Sequence, residues 1–149
     1  MSDETRILRM ERVFRTDPEH LFAAWTDPKK LASWWGPEGM TTPTCEMDVR
    51  EGGSWLTTMR NDKGDEYTVS GVYRVIEPPS RLVFTWAWHN DGVRNGHETE
   101  VILQFEAVDG GTRLSLEQRT FEEQEHRDSH RGGWTSSFND LARLVEAGT

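Results

Sequence analysis

The sequence predicts an α+β fold in which a curved antiparallel β-sheet wraps around a long C-terminal helix. Three observations carry this reading. Through residues 41–119 apolar and polar residues alternate at period two, with a turn signal every ten or so positions, the pattern of an antiparallel meander. The period then changes: Trp134, Phe138, Leu141 and Val145 fall four, three and four apart, which is one stripe of a helix. Two short helix starts also follow directly on the first strand. Strand, two short helices, six strands and a long helix can bury both the stripe and the alternating face if the sheet curls around the last helix.

Taken in order, residues 6–15 read as the first strand, ended by Thr16-Asp17-Pro18. Thr16 or Asp17 can cap a helix there, and Pro18 suits its first turn. Leu21, Phe22 and Trp25 share one face of it, and Asp27-Pro28 starts a second helix carrying Leu31, Trp34 and Trp35 up to Gly36-Pro37. In the next strand Cys45, Met47 and Val49 alternate with Glu46, Asp48 and Arg50, before Gly52-Gly53 turns the chain. Trp55, Thr57 and Met59 line one face of a strand that Asn61-Asp62-Lys63-Gly64 folds into a hairpin. A strand over 66–76 stops at Pro78-Pro79. Leu82, Phe84, Trp86 and Trp88 alternate in the next, residues 90–97 form a polar loop, Val101, Leu103 and Phe105 alternate again, and Asp109-Gly110-Gly111 turns into Leu114 and Leu116. Thr120 with Glu123 has the spacing of a capping box. Gly132-Gly133 sits at or inside the start of the last helix, where each glycine costs roughly 1 kcal/mol against alanine; close backbone approach or reserved space would explain the pair.

The 149 residues are expected to form one domain with a core over about 6–147. Seventeen Lys and Arg against 26 Asp and Glu give a net charge of −9, which disfavours a nucleic-acid partner, and no basic amphipathic stretch suggests a membrane surface. The N-terminus lacks a signal-peptide core, no run approaches the ~20 apolar residues of a spanning helix, and Cys45 is alone. A cytoplasmic monomer or homodimer is the expectation. Seven tryptophans are the compositional anomaly: they either fill a Trp-heavy core or line a ligand pocket, which is mainly apolar and aromatic.

Several segments, in order along the chain, resemble a known family. They are Ala24-Trp25-Thr26-Asp27-Pro28, Leu31-Ala32-Ser33-Trp34-Trp35-Gly36-Pro37, Asp48 to Trp55 with its Gly-Gly turn, Gly71-Val72-Tyr73, Pro78 to Trp86, and Gly132-Gly133-Trp134. Together they resemble the branch of the SRPBCC (START-like, helix-grip) superfamily that is like the activator of the heat-shock-protein-90 ATPase. The resemblance implies the helix-grip fold and an internal cavity. Its co-chaperone role is not expected to carry over, because the eukaryotic activators are similar to this chain only over their C-terminal domain.

The concave face should carry Trp55, Met59, Leu82, Phe84, Trp86, Trp88, Val101, Leu103 and Phe105, opposite Trp134 and Phe138. Trp35, Met40, Met59, Trp86, Trp88 and Trp134 are placed nearer the open end, and with Tyr73 and Phe138 they make up the candidate ligand-binding set. Trp134 is expected to pack against the Trp34-Trp35 region. His126 and His130 are spaced for one helical face, but the metalloprotease pattern needs Glu where Arg127 stands, so a solvated polar turn is expected and no metal. His97, Glu98 and Glu100 read as exposed strand-edge charges. No phosphate loop, catalytic triad or cofactor fingerprint is present, and no cofactor is expected. The function implied is binding of a small hydrophobic or amphipathic molecule. The alternatives are a cyclase, dehydratase or hydrolase working in the same cavity, or a chaperone-interacting adaptor.

Overall fold

The alternation does build a seven-stranded antiparallel sheet, in the order β1-β7-β6-β5-β4-β3-β2. The computed structural model describes residues 7–35, 39–89, 98–119 and 124–146, and for 124–127 and 129 the backbone alone. Its elements are β1 (Leu8–Phe14), α1 (Pro18–Thr26), α2 (Pro28–Trp34), β2 (Thr41–Met47), β3 (Ser54–Arg60), β4 (Glu66–Glu77), β5 (Arg81–Trp88), β6 (Thr99–Val108), β7 (Gly111–Arg119) and α3 (Gln124–Glu146). The loop expected over 90–97 and the Thr120–Glu123 capping box lie outside the described residues.

The first two strands occupy opposite edges of the sheet. Strands sit ~4.8 Å apart, so the chain between Phe14 and Thr41 must travel on the order of 29 Å along it, and α1 and α2 fill that crossing. Asp17 caps α1 by accepting from the His20 N–H at 2.7 Å. Asp27 ends α1, donating its N–H to Ala23 O at 2.9 Å, and starts α2 by accepting from the Lys29 N–H at 2.9 Å. One residue thus makes the corner. The indole of Trp34 ties the second helix to the first through Ala24 O at 2.9 Å.

Register carries the inward face across the sheet. Leu82, Leu103 and Leu116 stand side by side on β5, β6 and β7, as do Phe84, Val101 and Gln118 on the same three strands. Against this face pack Leu21, Phe22 and Trp25 of α1 and Trp134, Phe138 and Leu141 of α3, all buried. Tyr73 and Val75 flank a register shift between β4 and β5. Beside it Gly71 is indispensable, since a Cβ there would lie 1.8 Å from Thr85 O. That space admits the Trp55 indole, which donates to Thr85 O at 3.2 Å, while the Thr85 hydroxyl accepts from the Val72 N–H at 2.8 Å.

The edges are finished differently. Strand β2 contains Pro43 and loses register between Thr41 and Thr44. On the β1 side, Arg131 of α3 donates to Arg9 O at 3.4 Å and Glu146 accepts from the Arg15 N–H at 3.0 Å.

Two expectations need correction. Strand β2 ends at Met47, and Val49 is 37% exposed in the loop, because Asp48 and Arg50 already turn there: the Arg50 N–H donates to Asp48 O at 2.9 Å. Gly132 and Gly133 lie well inside α3, and a Cβ on either would meet nothing within 4 Å. Neither supports close backbone approach. Gly132→Ala is therefore expected to stabilise the protein by about 1 kcal/mol in urea unfolding. Gly71→Ala, forced against backbone, should lower the unfolding midpoint sharply in the same assay.

Candidate functional site: an aromatic interior with a buried polar chain

The interior is built from tryptophans contributed by separate elements. Trp25 of α1 lies 4.6 Å from Trp34, 6.3 Å from Trp35, 6.3 Å from Phe84, 5.9 Å from Trp134 and 6.4 Å from Phe138, centroid to centroid. Trp35, just after α2, is packed between Trp55 at 5.7 Å and Trp134 at 5.6 Å. Edge-on geometries predominate, as ring quadrupoles favour. The expected packing of Trp134 against the end of α2 is observed.

The candidate residues separate into two groups. Trp86 and Trp88 stack edge-on at 4.5 Å near the end of β5, and the ring of His130 lies 4.5 Å from Trp86 and 6.4 Å from Trp88. Trp134 stands one helical turn further along α3. Trp35 and Tyr73 instead border a small apolar void with Trp25, Leu31, Trp55, Leu82 and Phe84. Its volume is about 10 Å3, room for roughly one water molecule. Phe138 is in the core against Phe14, Met59 is buried, and Met40 is half-buried against the same cluster. Hollows of about 440 and 490 Å3 exist on the outer surface, but their walls carry charged side chains such as Arg9, Glu117, Arg15 and Glu146.

His130 is not in a solvated turn: α3 already runs from Gln124, which carries it inward. The side chain of His126 lies outside the described residues. What the alternation did not reveal is Gln118, fully buried two positions beyond Leu116 on the same face. Trp134 Nε1 donates to Gln118 Oε1 at 2.8 Å, and His130 Nδ1 lies 3.2 Å from the same oxygen. Gln118 Nε2 meets Thr99 Oγ1 at 2.8 Å, and that hydroxyl donates to Trp86 O at 3.2 Å. An indole N–H can only donate, so the amide atom facing it is the oxygen. The His130 nitrogen meeting that oxygen, Nδ1, then carries hydrogen. Continuing Leu114 and Leu116 by two positions was the signal in the sequence.

Two other features bear on chemistry. The Tyr73 phenol is held above its ordinary pKa by burial first, then by the nearby Cys45 and Asp48, so it stays a neutral hydroxyl. Burial, with Asp27 second, pushes the Cys45 thiol up to about 11. Trp25 Nε1 and Trp35 Nε1 are buried without an acceptor among the described residues, which ordinarily costs about 1–3 kcal/mol each. Glu98, exposed, and Glu100, half-buried at the start of β6, stand around Arg74 as paired surface charges. Among the described residues no group of three His, Cys, Asp or Glu side chains is placed to hold a metal ion, and no helix is long and apolar enough to cross a membrane.

A curved antiparallel sheet closed over an aromatic interior by a long C-terminal helix defines a helix-grip protein. Residues 15–146 match the family described as Activator of Hsp90 ATPase homolog 1-like protein, and the chain belongs to that family. It is similar to the crystal structure of an AHSA1 protein from Silicibacter pomeroyi, with 39% identity over 96% of this chain and 99% of that one and a TM-score of 0.87. A protein from Chromobacterium violaceum is 27% identical over 94% and 97%, TM-score 0.81. The solution structure of an AHSA1-like protein from Aeromonas hydrophila is 26% identical over 95% and 93%, TM-score 0.78. No curated protein matches the chain.

Trp134→Ala removes a buried ring and is expected to cost about 3–5 kcal/mol. Gln118→Leu keeps the approximate volume but strands the Trp134 and His130 donors, so about 3 kcal/mol should be lost. Trp134→Phe, which keeps an aromatic ring and removes a donor from Gln118, should fall between wild type and Trp134→Ala; urea unfolding of the three variants ranks them.

Proposed function

We propose that the protein binds a small hydrophobic or amphipathic ligand inside the grip, between the sheet and α3. The observation that carries this reading is the convergence of Trp25, Trp35, Trp55, Trp86 and Trp134 on one interior, from four different elements and the chain just after α2. A core needs apolar volume, which leucine supplies without a polar atom. Tryptophan adds a flat surface and a donor, the combination found where apolar molecules are held in a fixed orientation. The ligand's apolar body belongs among Trp86, Trp88, Trp134, Met40 and Met59, with Tyr73 and Trp35 further in and Phe138 as floor.

Intrinsic tryptophan fluorescence titrated with a library of hydrophobic metabolites, with native mass spectrometry to give stoichiometry, tests the reading. A saturable change with one ligand per chain is expected, weakened about tenfold by Trp88→Ala, which removes a half-buried ring from the edge of the core. A library without a single saturable binder would overturn it.

A second reading is favoured by one observation, the imidazole of His130 among the inner aromatics. An enzyme on this fold, a cyclase, dehydratase or hydrolase, needs such an ionisable group beside its substrate. Turnover of an identified ligand that disappears in His130→Gln, while binding persists, would establish it. Equal fate of the ligand in both proteins would dismiss it.

A further inference from the structure

The two unpartnered indoles carry an inference that deepens the ligand-binding reading and rests on it. Three inner tryptophans have protein acceptors: Trp34 uses Ala24 O, Trp55 uses Thr85 O and Trp134 uses Gln118. Trp25 and Trp35, 2% and 5% exposed, have none among the described residues, and both line the same void of about 10 Å3. The two residues whose buried indoles lack an acceptor among the described residues thus line one space about the size of a single oxygen atom.

We propose that this void is an oxygen seat, in which Trp25 and Trp35 donate their indole hydrogens to the carbonyl oxygen of an otherwise apolar, uncharged ligand. Its chemistry selects the class. The void's lining offers donors and no cation, so a carboxylate would enter without a counter-charge. Burial is what chiefly raises the Tyr73 phenol and Cys45 thiol, with Asp48 and Asp27 adding to it, and both burial and these carboxylates oppose an anion. A hydrocarbon of equal shape would fill space but leave both donors unmade. A ketone, aldehyde, quinone or ester satisfies them without bringing charge.

Acetophenone, ethylbenzene and benzoate separate these cases, being similar in size and differing in the group offered. In protein labelled with 15N at the indoles, acetophenone is expected to bind about tenfold more tightly than ethylbenzene and to move the Trp25 and Trp35 N–H signals downfield. Those of Trp34 and Trp55 should stay, and benzoate should bind most weakly. Trp35→Phe should reduce the acetophenone preference; if that variant does not fold, the wild-type signals decide alone. Equal binding of acetophenone and ethylbenzene would overturn the oxygen seat while leaving the apolar-ligand reading intact. Persistent cross-peaks from both indoles to a resident water that acetophenone does not displace would do the same. Failure of all three probes to bind would overturn the seat, and if the metabolite library also gave no binder, the ligand-binding reading would fall with it.

Discussion

The packing of Trp25 is the interaction on which the arrangement depends. Its ring touches aromatics from α2, the chain after it, β5 and α3, so one side chain fixes the distances between both short helices, the sheet and the gripped helix. Edge-to-face pairs contribute roughly 0.5–1.5 kcal/mol each beyond the area they bury, and they also set angles, which aliphatic packing does less well. The Asp27 corner exists in this context as the joint that lets α2 turn back and bring Trp34 and Trp35 onto that ring. Without the aromatic hub, α2 and its seven residues would have little reason to hold a helix at all.

Opposite this hub the interior is polar by design of the register. Gln118 sits in the same row as Phe84 and Val101, and the amide is tolerable there only because its oxygen and nitrogen are both engaged. The chain from His130 and Trp134 through Gln118 and Thr99 to the Trp86 carbonyl orients α3 rotationally, because shifting the helix by one residue would break two donors at once. An apolar interface would allow the helix to slide at smaller cost. The same chain keeps a hydrogen on Nδ1 of His130, so an architectural bond sets the chemical character of the nearest ionisable group.

The sequence made most of the scaffold readable, for a physical reason. Sheet faces differ so much in environment that alternation survives in nearly every strand, and an Asp-Pro pair stands at both helix starts. The placement of Trp134 against the Trp34-Trp35 region was expected from the helical stripe, the grip arrangement and the glycine pair before it, of which the glycine argument did not hold. Polar residues that face inward leave a weaker mark: the alternation puts position 118 on the inner face without showing what it bonds. Gln118 looks like the surface residue that usually follows a strand's last leucine, and His130 resembles its charged neighbours on α3. Their roles arise from contacts between β7 and α3 that no local pattern encodes. Val49 misled for the opposite reason, since it continues an alternation that the Asp48–Arg50 turn has already ended. The glycine pair in α3 is unexplained by its surroundings.

The way the sheet borders are finished has a consequence for association. A strand edge is normally a row of open donors and acceptors, and it invites another chain to pair. Along β2 that row is interrupted by Pro43, which has no hydrogen to offer, and by the break in register beside it. Along β1 the helix itself reaches round, with Arg131 on one carbonyl and Glu146 on an N–H at the far end. Neither border retains the uninterrupted ladder that an eighth strand requires. Crowded copies of this chain are thereby steered away from growing into a continuous intermolecular sheet, and any association between them has to use side-chain surfaces instead.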